Sequence, residues 1–247
     1  MILRTDGIVI REQMTGEQDR LITILTRENG IIKGFVNGGR NPKNKNVAAT
    51  GLLCYSDFSI EKTKRDVYII KEATAKEVFF SLRENIVSLS LAQYFAELTY
   101  ELAPREENSA DFLSLLLNAV FLITQEKKPM ALIKSVTELR MLCLSGFMPS
   151  LVACASCGQY ERENMYFDLH SGELYCEECS VRSSLQKLSL TTVSAMRHIC
   201  FSEPQRIFSF TIPEKDLSDL SFVSEIYLRN ITNRKYKTLD FYKMMTN

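Results

Sequence analysis

Four cysteines in the segment CASCGQYERENMYFDLHSGELYCEEC, residues 154–179, have the spacing of a metal site. They form two Cys-x-x-Cys pairs, Cys154 with Cys157 and Cys176 with Cys179, separated by 18 residues. Each short pair places two sulfur atoms on one side of an ion, and two pairs supply the four thiolates that Zn²⁺ binds as a tetrahedron. The spacing predicts one structural zinc ion, with a redox dithiol or a chance cluster as the alternatives.

The residues between the two pairs predict a zinc ribbon. A strand at 165–169, a turn at His170-Ser171-Gly172 and a strand at 173–175 make a hairpin, in which His170 is a surface turn residue. One basic residue, Arg162, faces six acidic residues between the outer cysteines, and four thiolates on a divalent ion add further negative charge. Such a surface repels phosphate, and a site closed by four cysteines leaves no position for water, so its predicted role is structural.

The elements that must position this ribbon begin with strands. Five segments rich in Ile, Val, Leu, Phe, Tyr and Thr are found at 2–12, 19–26, 31–36, 52–60 and 67–75. Asn29-Gly30 is a hairpin turn signal, because both residues tolerate positive φ. The pattern favours a small closed barrel of the oligonucleotide-binding (OB) type, with a small sandwich as the alternative.

From about residue 81 the apolar period becomes helical. The predicted class is α+β, with an OB-fold barrel at 1–80 followed by an all-α domain at 81–247. The zinc ribbon is expected as an insertion at about 150–182 and the closing helices at 183–247, with IYLRNITNRKYKTLDFYKMM as the last helix.

Composition excludes several function classes. The 247 residues carry 30 basic and 30 acidic side chains, so no global charge attracts nucleic acid or a membrane. The N-terminus has no secretory apolar core, and the apolar run at 114–124 is shorter than the roughly 18 residues of a membrane span. We expect a cytoplasmic protein in a reducing compartment, since four of its seven cysteines have metal spacing. No phosphate-binding glycine loop or catalytic triad is recognisable, so the protein is predicted not to be an enzyme.

Basic charge is concentrated in two loops of the predicted barrel. Residues 1–80 hold 13 basic and 10 acidic side chains, and the loops 37–46 and 61–66 carry most of the excess. The predicted DNA-contacting residues are Arg40, Lys43, Lys45, Lys62, Lys64 and Arg65, with Arg27 and Lys33 as lesser candidates. The aromatic residues Phe35, Tyr55, Phe58 and Tyr68 could stack on bases, although a place in the barrel core is favoured for each of them.

The chain resembles the RecO family of bacterial DNA repair and recombination mediators over essentially its whole length. The resemblance rests on GEQDRLITILTRENGIIKGFVNGGRNPKNK near the start and on ELRMLCLSGFMPSLVACASCG before the first cysteine pair. The terminal YLRNITNRKYKTLDFY is also similar to the closing helices of the family. The basic segment departs from the family pattern, since Asn37, Asn41, Asn44 and Asn46 stand among its cations, and this departure bears on DNA affinity rather than on binding itself.

The resemblance implies an OB-fold barrel, a helical domain and an inserted zinc module. It further implies binding of single- and double-stranded DNA, strand annealing, partnership with RecR, and contact with the acidic tail of single-stranded DNA-binding protein, which together help to load RecA. In relatives the site for that tail lies beside basic residues near the third helix. This chain offers Lys134 and Arg140 there, with Glu138 between them, and the pocket stays unassigned.

Three hypotheses follow for the function. The first is a non-enzymatic, nucleoid-associated DNA-binding mediator of recombination and DNA damage repair. The second is a zinc-containing protein–protein adaptor with little intrinsic DNA binding, which the zero net charge and the acidic ribbon favour. The third, a metal-dependent nuclease, needs a second, carboxylate-lined site that the sequence does not reveal.

Overall fold

The structure, a computed structural model, describes residues 2–180 and 185–246. The chain divides into two compact units. One unit combines the chain up to Gln125 with the segment from Tyr236 onward, and the other is Glu126–Lys235. The predicted domain boundary at residue 80 stays a prediction, as does the end of the ribbon near 182, which falls outside the described residues.

The first unit contains the predicted barrel of five strands. They are β1 (Ile2–Thr15), β2 (Asp19–Thr26), β3 (Ile31–Val36), β4 (Tyr55–Lys62) and β5 (Tyr68–Glu77). The strand order is β1-β2-β3-β5-β4, and β4 closes on β1. All pairings are antiparallel except β3 with β5. This five-stranded closed barrel confirms the OB-type expectation.

Alternation along the strands fills the barrel interior. The inward side chains are β-branched or aromatic and at most 3% exposed, namely Val9, Ile22, Ile24, Ile32, Val36, Phe58, Ile60 and Ile70. Burying residues of this size stabilises a fold by about 1.5–3 kcal/mol each. The outer face is mixed. Ile8 and Leu25, which pair across β1 and β2, are also fully buried, whereas Lys33 of β3 is exposed.

Three helices complete the first unit: α1 (Ile86–Leu102), α2 (Ala110–Gln125) and α6 (Lys237–Thr246). Asn85 caps α1, because its side-chain oxygen accepts hydrogen bonds from the N–H groups of Val87 and Ser88. Tyr94 of α1 packs edge-on against Tyr236, with ring centroids 5.8 Å apart.

The second unit holds α3 (Met130–Leu144), α4 (Leu190–Phe201), α5 (Glu214–Thr232) and the ribbon strands β6 (Asn164–Phe167), β7 (Leu174–Cys176) and β8 (Gln186–Ser189). The predicted hairpin is confirmed as β6 and β7. A third strand, β8, which the predicted hairpin did not include, pairs with the other edge of β6.

The single closing helix predicted for IYLRNITNRKYKTLDFYKMM is wrong. Helix α5 ends at Thr232, and Asn233 follows it with φ +49, a left-handed conformation that stops a helix and that asparagine tolerates. Helix α6 begins only at Lys237. Across residues 2–180 and 185–246, no helix is long and apolar enough to cross a membrane.

Candidate nucleic-acid interface and metal centre

The four predicted cysteines converge in the second unit. Their sulfur atoms all lie within 4.8 Å of one another, and Sγ of Cys157 is 3.6 Å from Sγ of Cys176. Four sulfurs at about 2.3 Å from a central Zn²⁺ would be separated by roughly 3.8 Å, so the cluster has the size that a tetrahedral zinc site requires.

The backbone around the first cysteine pair suits bound thiolates. Gly158 adopts φ +75 and its N–H donates to the carbonyl of Cys154 at 2.9 Å, which closes the knuckle. Burial alone would raise the pKa of the Cys154 thiol, but N–H groups of Cys157, Cys176 and Ser156 donate to its sulfur and lower that pKa to about 6. The residues therefore fit a zinc ion held by Cys154, Cys157, Cys176 and Cys179.

The surroundings of the cluster favour a structural role. The Arg197 guanidinium donates to the carbonyls of Leu151, Val152 and Tyr160 at 2.7–3.0 Å, and it pairs with Glu161 at 3.1 Å. The arginine on α4 thus fixes both sides of the first knuckle to the helix. An ion in this cluster would join that knuckle to β7, and its four sulfur ligands would leave no position for water.

The eight predicted DNA-contacting residues fall into two groups. Three form ion pairs at 2.7–3.2 Å: Arg27 with Asp6, Lys45 with Glu72, and Lys62 with Asp66. The other five are exposed and, within the described ranges 2–180 and 185–246, have no carboxylate within 4.0 Å: Lys33, Arg40, Lys43, Lys64 and Arg65. The structure offers the second group to an external anion, whereas the first group would have to exchange a partner. A role for any of the eight in DNA binding stays a prediction.

The loop that carries Arg40 and Lys43 is held in one shape by two asparagines. The Asn44 amide donates to the carbonyls of Asn37 and Gly38 at 2.7 and 3.2 Å. The Asn46 side chain, 7% exposed, accepts from the N–H of Ala73 at 3.0 Å and donates to the carbonyl of Lys71 at 3.2 Å. Two of the asparagines that dilute the basic charge in the sequence therefore help to order the loop.

A second anchor of the same loop, which sequence reasoning missed, is the pair Asp19-Arg20 at the start of β2. Asp19 accepts from the N–H of Gly38 at 2.8 Å. Arg20 is 7% exposed. Its guanidinium donates to the hydroxyl of Thr50 at 2.6 Å and to the carbonyl of Val47 at 3.2 Å. The sequence signal for this anchor was the Asp-Arg pair at the start of a mostly apolar strand, because a charged side chain that is buried there needs a partner.

The aromatic candidates differ in burial. Phe58 is 3% exposed and belongs to the barrel core, which agrees with the favoured interpretation. Phe35, Tyr55 and Tyr68 are half-buried. The hydroxyl of Tyr55 donates to Asp6, beside the Arg27 guanidinium, so this tyrosine also orders the ion pair.

The basic residues near the third helix are committed internally. Lys134 is 3% exposed, and its ammonium lies 2.9 Å from Glu138 and 3.1 Å from Glu225. Burial alone would lower the pKa of Lys134, but the two carboxylates raise it above its ordinary value. Arg140 donates to the carbonyls of Ile199 and Cys200. Lys134 is therefore closed to an acidic peptide.

Comparison with known proteins gives a consistent family pattern. Residues 1–79 match the family model described as "Recombination protein O N terminal", and residues 83–240 match "Recombination protein O C terminal". The chain is 31% identical over 245 residues to the DNA repair protein RecO of Acetivibrio thermocellus, which covers 98% of this chain and 97% of the relative. It is 29% identical over 208 residues to that of Alkaliphilus metalliredigens, with 84% of each chain covered. It is 28% identical over 237 residues to the DNA repair protein RecO of a Dehalococcoides mccartyi strain, with 96% of this chain and 93% of the relative covered.

Proposed function

The chain belongs to the RecO family of DNA repair and recombination proteins, and on that premise we propose that it is a non-enzymatic mediator that binds single- and double-stranded DNA. It promotes the annealing of complementary strands and, with RecR, the loading of RecA. It works in the cytoplasm on nucleoid DNA.

The observation that carries the proposal is the set of unneutralised cations on the barrel loops. Arg40 and Lys43 lie in the connection between β3 and β4, and Lys64 and Arg65 in the connection between β4 and β5. A cation without a carboxylate partner can neutralise a DNA phosphate and so release a counterion that was condensed on the DNA. This release is the main source of sequence-independent DNA affinity. On an OB-type barrel, loops between strands flank the surface that holds single strands.

Annealing follows from the same charges. Two complementary strands repel each other through their phosphates, and a protein that neutralises several phosphates on each strand lowers that barrier. The loop 37–50 is fixed by hydrogen bonds of the buried side chains Arg20 and Asn46, so its cations are held in place before DNA arrives.

The second unit supplies the partner surfaces. Its four-cysteine ribbon holds one structural zinc ion, and its acidic residues repel DNA while remaining available to basic surfaces of protein partners. RecR and the acidic tail of single-stranded DNA-binding protein are the proposed protein partners. Because Lys134 is neutralised inside the fold, the tail must bind elsewhere.

The test compares two double charge reversals by fluorescence anisotropy with a labelled single-stranded oligonucleotide. Arg40→Glu with Lys43→Glu changes two cations without carboxylate partners, whereas Lys71→Glu with Lys76→Glu changes two exposed cations that pair with Glu61 and Asp57. Each lost phosphate contact makes the negative slope of log K against log salt shallower by about 0.7. The first pair should therefore make it shallower by about 1.4, whatever the sequence of the oligonucleotide.

The control variant, Lys71→Glu with Lys76→Glu, should retain most of the salt dependence of the wild-type chain. Equal losses in the two pairs would show that only net charge matters, and an unchanged slope in the first pair would remove the loop from the DNA interface.

An adaptor with little DNA binding of its own is the second candidate, favoured by the acidic ribbon and the zero net charge. DNA that co-purifies with the protein and leaves in a high-salt wash would favour the mediator. A nucleic-acid-free preparation that retains protein partners would favour the adaptor.

A further inference from the structure

Three cations from distant parts of the chain surround one tyrosine in the first unit. The centroid of the Tyr100 ring lies 5.5 Å from Cζ of Arg11, 5.4 Å from Nζ of Lys33 and 5.7 Å from Cζ of Arg105. No two of these charges can therefore be more than about 11 Å apart. Cation–π contacts of this length contribute about 0.5–1 kcal/mol each at exposed sites. The repulsion between two exposed unit charges about 10 Å apart is of similar size, about 0.4 kcal/mol in water and more near a protein surface.

The barrel places two of the three cations in one row. Arg11 of β1 is paired with Thr23 of β2, and Thr23 is paired in turn with Lys33 of β3. Residues directly paired across neighbouring strands point to the same face of a sheet. Arg11 and Lys33 therefore lie on one outer face, two strands apart, which is roughly 10 Å at the usual strand spacing.

The third cation is brought to the same place by the backbone between α1 and α2. Arg105 forms an isolated bridge with Gly30 of the β2–β3 turn, and the N–H of Ile31 donates to the carbonyl of Pro104 at 3.1 Å. The N–H of Ser109 donates to the carbonyl of Arg27 at 2.9 Å. The segment is thus fixed at both ends to the β2–β3 hairpin, so the position of Arg105 beside the ring is set by backbone hydrogen bonds.

The three charges are not neutralised by the protein. All three side chains are exposed, and in the part of the chain that the structure describes none has a carboxylate oxygen within 4.0 Å. The positive charges affect the pKa of the Tyr100 hydroxyl. A hydrogen bond from Lys33 lowers this pKa below its ordinary value, although burial raises it. The charges of Lys33, Arg105 and Arg11 lower it further. The site favours negative charge.

We propose that Arg11, Lys33 and Arg105, arranged around Tyr100, form a binding site for backbone phosphates of DNA. This inference rests on the proposed function and extends its DNA path from the loops 37–46 and 61–66 across the β1–β2–β3 face to helix α1. Three exposed cations, none more than about 11 Å from another, can contact neighbouring phosphates of one strand, since each nucleotide carries one negative charge. Tyr100 acts as a positioning residue, because its ring contacts all three cations and its hydroxyl accepts a hydrogen bond from Lys33.

The alternative is a purely structural cluster, in which the arginine stems cover the ring and stabilise the packing of α1 on the barrel. A structural cluster predicts a loss of stability on substitution without a change in the salt dependence of DNA binding. The two interpretations are separated by measuring both quantities on the same variants.

The experiment uses the full chain and a labelled oligothymidylate. Arg11→Gln with Arg105→Gln removes two cations of the site, and the matched control, Arg4→Gln with Arg83→Gln, removes two exposed arginines of the same unit that lie outside it. At about 0.1 M salt each lost phosphate contact weakens binding about fivefold, so the site pair should bind roughly 25-fold more weakly with a slope smaller by about 1.4, and the control pair should change much less.

A second readout reports on Tyr100 itself. The ultraviolet absorbance of its tyrosinate form, taken as the difference between the wild-type chain and Tyr100→Phe, should titrate at higher pH once oligothymidylate is bound, because the phosphate neutralises the neighbouring cations. An unmoved titration, or equal weakening by the site and control pairs, would overturn the site and leave the proposed function standing. Absence of binding by the wild-type chain would overturn the proposed function and this site with it.

Discussion

Replacing Gly30 with alanine should disrupt the β2–β3 turn far more than replacing another left-handed glycine does. Gly30 has φ +60, and a Cβ atom added there would lie 2.4 Å from the carbonyl oxygen of Pro104 and 3.0 Å from the nitrogen of Glu106. Both obstacles are backbone atoms, so relief requires the segment after α1 to move. Gly16, at φ +56 in the β1–β2 turn, is the control, because nothing lies within 4 Å of its added Cβ.

The magnitude follows from two contributions. The left-handed backbone costs an alanine about 1–2 kcal/mol in both variants. Gly30→Ala also displaces the carbonyl that accepts from Ile31, and a disturbed backbone hydrogen bond with a partly buried partner adds about 1–3 kcal/mol. We therefore expect Gly16→Ala to cost about 1 kcal/mol and Gly30→Ala about 3 kcal/mol.

Equilibrium urea unfolding of both variants, at fixed zinc concentration, measures the difference. Gly30→Ala should also reduce the salt slope of DNA binding, because Arg105 is held beside Tyr100 by the same contact. Equal stability losses in the two variants would refute the close backbone approach. A stability loss without any change in salt slope would separate the turn from the phosphate site.

Three further predictions concern the loop, the metal and an ion pair. Asn46→Ala should lower the free energy of unfolding in urea by about 1–3 kcal/mol, because it leaves one backbone carbonyl and one backbone N–H of β5 without partners. Asn37→Ala, at an exposed position, should cost much less, and equal costs would contradict the anchoring role. A strong chelator should lower the melting temperature of the unit at 126–235, and metal analysis should find one zinc per chain; an unchanged melting curve with no metal would contradict the site. Burial raises the pKa of Asp6, but hydrogen bonds, above all from Arg27, lower it below the ordinary 3.8, so its contribution to stability is complete above about pH 4 and is lost as pH falls through the lowered pKa. The stability difference between the wild-type chain and Asp6→Asn should accordingly vanish in acid, and a difference independent of pH would contradict the pairing.

The barrel and the ribbon hairpin were predictable from local signals. Short β-branched segments and the Asn29-Gly30 turn specify the barrel strands, because period and turn chemistry act within a few residues of each other. The cysteine spacing specifies the metal cluster for the same reason, since each knuckle closes over four residues.

Elements that depend on distant partners were not predictable. Strand β8 has only four residues and a single fully buried side chain, Leu188, so it shows no alternation until it pairs with β6. The break at Asn233 had a weak signal, an asparagine inside a helical pattern, and asparagine tolerates the left-handed conformation that ends α5 there.

The candidate site shows the same division. Loop composition placed Arg40, Lys43, Lys64 and Arg65 in a basic surface, but it did not distinguish them from Lys45, which pairs with Glu72 of β5. The convergence of Arg11, Lys33 and Arg105 around Tyr100 depends on barrel closure and on the backbone bridge at Gly30. No pattern within a single segment carries that information.

The most direct test of the proposed mediator is the salt dependence of single-stranded DNA binding by the wild-type chain, measured by fluorescence anisotropy. Five of the eight predicted cations have no carboxylate partner among the described residues, so these five alone should give log K a slope of about −3.5 against log salt. Arg11 and Arg105 of the proposed phosphate site would steepen the slope to about −4.9. Tight binding at low salt with a slope of that size is the expected result. No binding at low salt, or binding whose strength does not change with salt, would contradict a DNA interface built from these residues.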